Sequence, residues 1–360
     1  MPKYGVEANL PRVSRLRIGF DVSPLHVPHP PGVVRATRGL VEALERRAIL
    51  DVVRLVPEGN LRSWRQRDLP RSVARLELRG IHSPVSAFPL RGPGLRVQTI
   101  HELPWRHGVK ENADWKHRAW AALGPVRADG VLCPSEHVAR DLRARWLPGA
   151  SRIRVAPWGV GAPFSDLPEP GSVDEVVLGK YRLGQDPIVL CVGAVREKKN
   201  LAGVLRGLAE VRKRNGPRIQ LVVTGAPTPD LRRDLGLVSQ LGLSRFVSTP
   251  GELPEHDLAA LYRLASAVAV LSHSEGFAFP ALEALASGTP AVVSRDSAQA
   301  ELAGTAGVVV DPADAVSVAD GLTRAVLERE SLRFDALERA TAFTWDACAE
   351  RVETLWQDLA

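Results

Sequence analysis

The sequence predicts an α/β fold of two doubly wound domains facing a common cleft. Short apolar runs alternate with helical-period segments in both halves of the chain, and a stretch rich in proline and glycine separates the halves. At 360 residues the chain is also longer than one hydrophobic core usually organises. Strand, helix and strand in succession imply parallel pairing, because each helix carries the chain back to the same end of the sheet.

The elements follow in order. RIGFDVSP (17–24) reads as a short buried strand, followed by a proline-rich loop that contains Gly32. VVRATRGLVEALERR spaces its apolar residues for a helix, and DVVRLVP resumes a strand. The pattern loosens through a strand in LRVQTIHELPW (95–105), a helix in HRAWAALGPVRA, the strand GVLCPS, the helix HVARDLRARWL and a last strand in IRVAPWGV (153–160). Pro163, Pro168, Pro170 and Gly171 mark residues 161–185 as a connection. A second alternation begins at PIVLCVGAV (187–195) and runs through LAGVLRGLAEVRKRN, IQLVVTG, DLRRDLGLVSQLG, RFVSTPG, HDLAALYRLASA and VAVLS, with AVVS and GVVVDP as further short strands. The expected units are a first domain over 1–165, a linker over 166–185, a second domain over 186–342 and a final helix over 343–360.

Composition narrows the chemistry. With 45% hydrophobic and 24% charged residues the chain has the balance of a soluble globular protein. No apolar run approaches the roughly 18–20 residues that span a bilayer, and MPKYGVEANLPRVSRLR lacks the apolar centre of a secretory signal, so the expected location is cytoplasmic. Cys133, Cys191 and Cys348 are too few and too scattered for a disulfide framework or a cysteine metal site. Residues 1–165 hold 27 Lys or Arg against 14 Asp or Glu, so the first half is basic. Arg62, Arg65, Arg67, Arg71, Arg75 and Arg79 lie close together there, a composition suited to anionic head groups or a pyrophosphate-linked acceptor. Zinc-finger spacing, RNP-like aromatics and a basic zipper are all absent, which argues against a nucleic-acid partner. G-x-G-x-x-G is missing from both first strand–helix turns, which argues against a nicotinamide cofactor.

The segment LSHSEGFAFPALEALASGTP (271–290) says most about function. Glu275 and Glu283 are eight residues apart, and eight helical steps leave side chains about 80° apart, so Glu275 belongs before the helix and Glu283 in its first turn. Pro280 suits the first turn and Gly288 a left-handed stop. Carboxylates accept bonds from sugar hydroxyls, and the N–H groups of a helix start receive phosphate. An acidic residue near a helix start is equally explained by the helix dipole alone.

SEGFAFPALEALASGTPAVVS resembles the Glu-x7-Glu signature of the family-4 retaining glycosyltransferases, whose usual form is close to EGFGLPxLEAMAxGxPVV. SRDSAQAELAGTAGVVVDPAD resembles the next turn of that family, with Glu301 at its acidic position, and STPGELPEHDLAALYRLASA resembles the stretch before. The ordered similarity covers most of residues 186–345. It implies the GT-B fold, two Rossmann-like domains with the donor held mainly by the second, and a final helix that crosses back to the first.

The resemblance also implies a site. Glu275 and Glu283 would hold sugar and ribose hydroxyls, with Gly276, Phe277 and Ala278 in the donor loop; Ala278 stands where a second glycine is common. CVGAVREKKN is similar to the family's VGxLxxRKN segment, which makes Lys199 the firmer phosphate ligand, Lys198 and Arg196 candidates, and Gly193 a close-approach position. TGAP places Gly225 at a strand end beside the nucleotide. PPGVVRATRGL resembles the opening phosphate or acceptor loop, with Gly32 at its tip and Arg35 in a structural or electrostatic role. TIHELPWRHG resembles the family's His-Asp segment, with His101 toward the sugar and Glu102 for the usual Asp. Ser135 falls at a helix N-cap. The catalytic set expected is therefore Glu275, His101 and Lys199, without a metal, since no Asp-x-Asp motif occurs.

The reaction implied is transfer from a nucleotide diphosphate sugar to an acceptor hydroxyl with retention, and no protein nucleophile. Mannose from GDP-mannose, for cell-surface polysaccharide, is the family-level candidate for the sugar. Expected partners are the nucleotide sugar, a glycan or lipid-linked acceptor and an anionic membrane surface. The competing readings are a sugar-nucleotide epimerase of the same fold and a silent sugar-nucleotide-binding protein.

Overall fold

The computed structural model describes residues 15–111, 113–144, 152–168 and 170–360. Residues 1–14, and the end of the expected helix HVARDLRARWL, lie outside them.

Two six-stranded sheets, each wholly parallel, organise the chain. The first contains β1 (Arg17–Asp21), β2 (Asp51–Leu55), β3 (Gly80–Ser83), β4 (Leu95–Thr99), β5 (Gly130–Cys133) and β6 (Ile153–Val155), in the order β2-β1-β3-β4-β5-β6. Its helices are α1 (Pro31–Arg47), α2 (Leu61–Ser63), α3 (Leu69–Arg75), α4 (Trp115–Arg127) and α5 (Glu136–Arg143). After α6 (Val176–Lys180), the second sheet contains β7 (Ile188–Val192), β8 (Gln220–Thr224), β9 (Val247–Gly251), β10 (Ala267–Val270), β11 (Ala291–Ser294) and β12 (Gly307–Val310), in the order β12-β11-β10-β7-β8-β9. Its helices are α7 (Leu201–Lys213), α8 (Pro229–Gln240), α9 (Glu255–Leu264), α10 (Phe279–Ala286), α11 (Ala298–Ala303), α12 (Ala315–Leu327) and α13 (Arg329–Ala340), before the final α14 (Trp345–Leu359). This is the doubly wound α/β architecture expected.

Strands buried on both faces read as continuous apolar runs, and β10, with the burial pattern of a fully enclosed Ala-Val-Ala-Val, shows why the second half was the more legible. β3 escaped the sequence reading because Gly-Ile-His-Ser offers one aliphatic residue, although all four are buried. The helical stretch from Leu61 to Arg75 escaped it too. A π-turn over Trp64–Asp68 brings Trp64 and Leu69, five residues apart, into one cluster with Val73 and Ile81, a spacing that α-periodicity does not flag. The 161–185 segment carries α6, whose region is pinned to α9 by two Arg263–Asp174 bonds of 2.7 and 2.8 Å.

α14 lies against α1 and against β5 and β6 of the first sheet. Trp356 and Val352 on it are fully buried, and Glu353, also buried, accepts two bonds of 3.0 and 3.1 Å from Arg47. Among the described residues no helix is long and apolar enough to cross a membrane.

Candidate functional site

In an open parallel sheet, ligands bind beyond the carboxyl ends of the strands where the strand order reverses. In the second sheet that point lies between β7 and β10. Beyond β7 the chain passes Gly193 (φ 102°) and a single 3-10 turn, Glu197–Lys199, before α7. Asn200 caps α7 by accepting from Gly203 N–H at 3.1 Å and donates to the Pro312 carbonyl at 3.0 Å, which fixes the lysine turn from both sides. The turn is tied to the loop after β10 by the His273 N–H, which donates to the Lys198 carbonyl at 2.8 Å. Gly225, beyond β8, sits at φ 135°, and a Cβ there would collide with the Gly193 carbonyl group. Gly193 and Gly225 are thus adjacent at the strand ends.

Glu275 stands in the loop before α10, with Lys199 Nζ 2.6 Å and Lys198 Nζ 4.0 Å from its carboxylate oxygens. Its side chain is only 12% exposed. Burial works to raise this carboxyl, but the two lysines outweigh it and hold Glu275 below the usual glutamate range. Lys198 is 8% exposed and lies 3.0 Å from Glu102 of the first domain. Burial works to lower its ammonium; Glu275 and Glu102 prevail and raise it above the ordinary lysine value. Lys198 is therefore an ion bridge between the domains, and Lys199 is the more accessible cation of the two. Arg196 is directed away, to Glu111 of the first domain.

The loop from Glu275 to Ala278 is pressed against the first domain. A Cβ on Gly276 would overlap the His101 carbonyl oxygen, and the Gly276 carbonyl accepts from the Ser135 hydroxyl at 2.8 Å. Ser135 also caps α5, accepting from Val138 N–H at 3.2 Å. Only a residue without a side chain fits this crossing. Phe277 is buried, with Phe279 and Phe343 around its ring. Ala278 adopts φ 71° and ψ 72°, a left-handed conformation that a glycine holds without strain. The N–H groups of Phe277 and Phe279 precede the first bond of α10, from Ala281 to the Ala278 carbonyl at 3.0 Å. His101 contacts the Pro84 carbonyl through Nε2 at 2.8 Å; a carbonyl only accepts, so Nε2 carries the proton and Nδ1 is the acceptor. Burial keeps this ring below the usual histidine value and hence neutral near pH 7.

Two sequence expectations are corrected. Glu283 is the fifth residue of α10, beyond its first turn, and it is buried. Its carboxylate accepts from the Tyr262 hydroxyl at 2.7 Å and pairs with Arg35 of α1, which also reaches Glu255 at 3.1 Å and lies over the rings of Phe164 and Phe279. Eight steps from Glu275 place it on the far side of the loop, where the neighbouring helix α9 covers it. Gly32 is not in a loop: α1 starts two residues earlier than its apolar pattern, and Gly32 is exposed in its first turn, where an added Cβ would stand 3.7 Å from the Phe279 ring. Pro31 at the first helical position explains the early start.

A small recess of about 30 Å³ lies at these strand ends, lined by Gly193, Lys199, Ser272 and Pro280 and walled by Val192, Val195 and Leu201. That is room for about two water molecules, so a sugar nucleotide does not fit without movement of the walls. A cation, backbone amides and a buried ionised carboxylate on an apolar wall can hold a polyhydroxylated, anionic ligand. Asn200, Ser272, Tyr262 and Glu111 were not singled out from the sequence; of these only Asn200, beside the lysine pair, carried a local signal as a helix cap.

Residues 179–341 match the family described as glycosyl transferases group 1. The D-inositol 3-phosphate glycosyltransferase of Corynebacterium jeikeium is 32% identical over 295 residues, which cover 74% of this chain and 69% of that protein. Its counterpart in Frankia alni is 36% identical over 190 residues, 48% of this chain and 46% of the relative. The O-antigen chain mannosyltransferase B of Escherichia coli is 29% identical over 175 residues, 48% of this chain and 46% of the relative. Among solved structures, sucrose-phosphate synthase of Thermosynechococcus elongatus superimposes with a TM-score of 0.74 at 22% identity, covering 96% of this chain and 99% of that one. HepE of Anabaena, solved with UDP-glucose, superimposes with a TM-score of 0.72 at 15% identity over 95% and 99% of the two chains. The ordered sequence match and the shared two-sheet architecture agree: the chain belongs to the glycosyl transferases group 1 family, retaining glycosyltransferases of GT-B fold that act on nucleotide sugars.

Proposed function

We propose that the chain moves a glycosyl unit from a nucleoside diphosphate sugar to an acceptor hydroxyl at the recess beside Glu275. The observation that carries this site is the ion-paired Glu275, Lys199 and Lys198 group at the point where the strand order of the second sheet reverses. In this reading the diphosphate lies between Lys199 Nζ and the N–H groups at the start of α10, with Gly193 and Gly225 leaving room for it. Lys198 acts indirectly, holding Glu275 and Glu102 in place.

The bond from the anomeric carbon to the phosphate oxygen breaks, and the bond to the acceptor oxygen forms on the same face. The acceptor proton passes to the departing phosphate oxygen, so no protein nucleophile is needed. Lys199 stabilises the charge that develops on the leaving group, the largest electrostatic demand of the reaction. Glu275, kept ionised, accepts bonds from sugar hydroxyls, and His101 offers Nδ1 as a further acceptor. Glu283 reaches the ribose hydroxyls when Arg35 gives way.

The name of the O-antigen chain mannosyltransferase supports a glycan acceptor and mannose as the sugar, and those of the D-inositol 3-phosphate glycosyltransferases support an inositol phosphate acceptor instead. Exposed Arg62, Arg67, Arg71, Arg75 and Arg79, from α2 through α3 to the residue before β3, support peripheral contact with an anionic membrane from the cytoplasmic side. Salt-sensitive sedimentation with anionic liposomes is the expected result, and its absence refutes that contact. The reaction itself is tested by incubating the chain with nucleotide sugars and candidate acceptors. Release of nucleoside diphosphate with a glycosylated acceptor is expected; epimerised donor, or binding without turnover, would replace the proposal by its competitors.

A further inference from the structure

We propose that His107, His137 and Asp141 form a binding site for one zinc-like transition-metal dication on the first domain, separate from the recess beside Glu275. Among the described residues these three form one group whose ligating atoms all lie within 4.8 Å of one another. His137 and Asp141 are four residues apart on α5 and so share a face, and His107 ends the 3-10 turn Pro104–His107. His107 Nε2 is 2.7 Å from Asp141 Oδ2 and 3.2 Å from His137 Nε2, with the two imidazoles stacked at 4.8 Å.

A single hydrogen on His107 Nε2 must serve two close contacts at once. If His107 Nε2 carries a hydrogen, it donates to Asp141 and has no lone pair for His137. If it carries none, His137 can donate to it, but its lone pair then faces the Asp141 carboxylate. Either way one hydrogen is shared or misdirected between two contacts, and a cation between the three atoms satisfies all three ligands at once. Ligands about 2.0–2.1 Å from a tetrahedral zinc ion stand roughly 3.3 Å apart, near the observed nitrogen separation. Two imidazoles and one carboxylate with a remaining position suit zinc, cobalt or nickel rather than magnesium. The Arg106 guanidinium, 3.5 Å from Asp141 Oδ1, holds that oxygen outward and leaves Oδ2 for the ion.

The consequence is mechanical. The turn at His107 follows directly on His101 and Glu102, which meet Gly276 and Lys198, and α5 begins at Ser135, which meets the Gly276 carbonyl. An ion here staples together the two first-domain segments that press on the Glu275 loop. The set was invisible to motif reading because His107 lies 30 residues before His137, and the i,i+4 pair of His137 and Asp141 is not diagnostic alone.

The test is calorimetric titration of the chelator-treated, tag-free full chain with zinc chloride, and with magnesium chloride as comparison. One equivalent of zinc should bind and raise the melting temperature, and magnesium should do neither. His107→Gln and His137→Gln should each weaken zinc binding at least ~10-fold, with melting in chelator like that of the parent chain; Asp141→Asn provides a third variant if either glutamine protein fails to fold. No zinc binding by the parent chain, or unchanged affinity in the variants, overturns the site.

Discussion

Glu275 is an ionised carboxylate in a nearly closed space, and its state depends on Lys199 and Lys198. Because its carboxyl is held below the unfolded value, the stability it contributes is present above the ordinary glutamate range and lost as pH falls through the lower, folded value. Glu275→Gln leaves the buried Lys198 ammonium with Glu102 alone and the partly exposed Lys199 without its carboxylate, and should cost about 3 kcal/mol at neutral pH, with a flatter acid limb. Urea midpoints of parent and variant across the acid range check both the size and the sign. Ala278 is a second residue-scale case. Relief of a left-handed alanine is worth about 1–2 kcal/mol and the added freedom of the unfolded glycine takes back roughly half, so Ala278→Gly should stabilise the chain by about 0.5–1 kcal/mol in denaturant melts.

At the scale of elements, the loop before α10 is held by parts of the first domain that lie more than 100 residues earlier. Glu301 of α11 accepts two bonds of 2.7 Å from the backbone N–H groups of Glu136 and His137, so one helix of the second domain caps α5 of the first. Glu301→Gln loses the charge at that helix start and should cost about 1–2 kcal/mol, read as a lower melting temperature, with donor affinity little changed. Gly276→Ala drives a methyl group into the His101 carbonyl and should lower turnover at least ~100-fold by displacing the loop, seen as loss of product release with retained secondary structure. The sequence makes α10 and its flanking strands plain, because Pro280, the alanines and Gly288 are local signals. It also marks Glu102, Ser135, Glu301 and Arg35 individually. It does not pair them, since the partner of each is supplied by how the two sheets meet, and neither periodicity nor capping rules carry that information. β3 and the π-turn at Trp64 stayed hidden for a different reason, lacking any apolar spacing that the common rules recognise.

For the whole molecule, the contacts between the sheets surround the site. Arg35 with Glu283, Lys198 with Glu102, Arg196 with Glu111 and Ser135 with Gly276 all cross from one domain to the other. Arg35→Ala leaves Glu283 buried without its cation and should destabilise the chain by about 3 kcal/mol; adding Glu283→Gln should recover part of that loss, because it removes the unbalanced charge. Thermal melts of the single and double variants check the coupling. These links also close the space around the present recess, so a larger donor requires some of them to part. The central claim is that Lys199 and Glu275 hold the departing diphosphate and its sugar. It is tested most directly by the rate of nucleoside diphosphate release, with acceptor glycosylation, in the parent chain, Lys199→Ala and Glu275→Ala. The account predicts weakened donor binding in the first variant and a loss of turnover of about 100-fold or more in the second; turnover like that of the parent chain in both would contradict it.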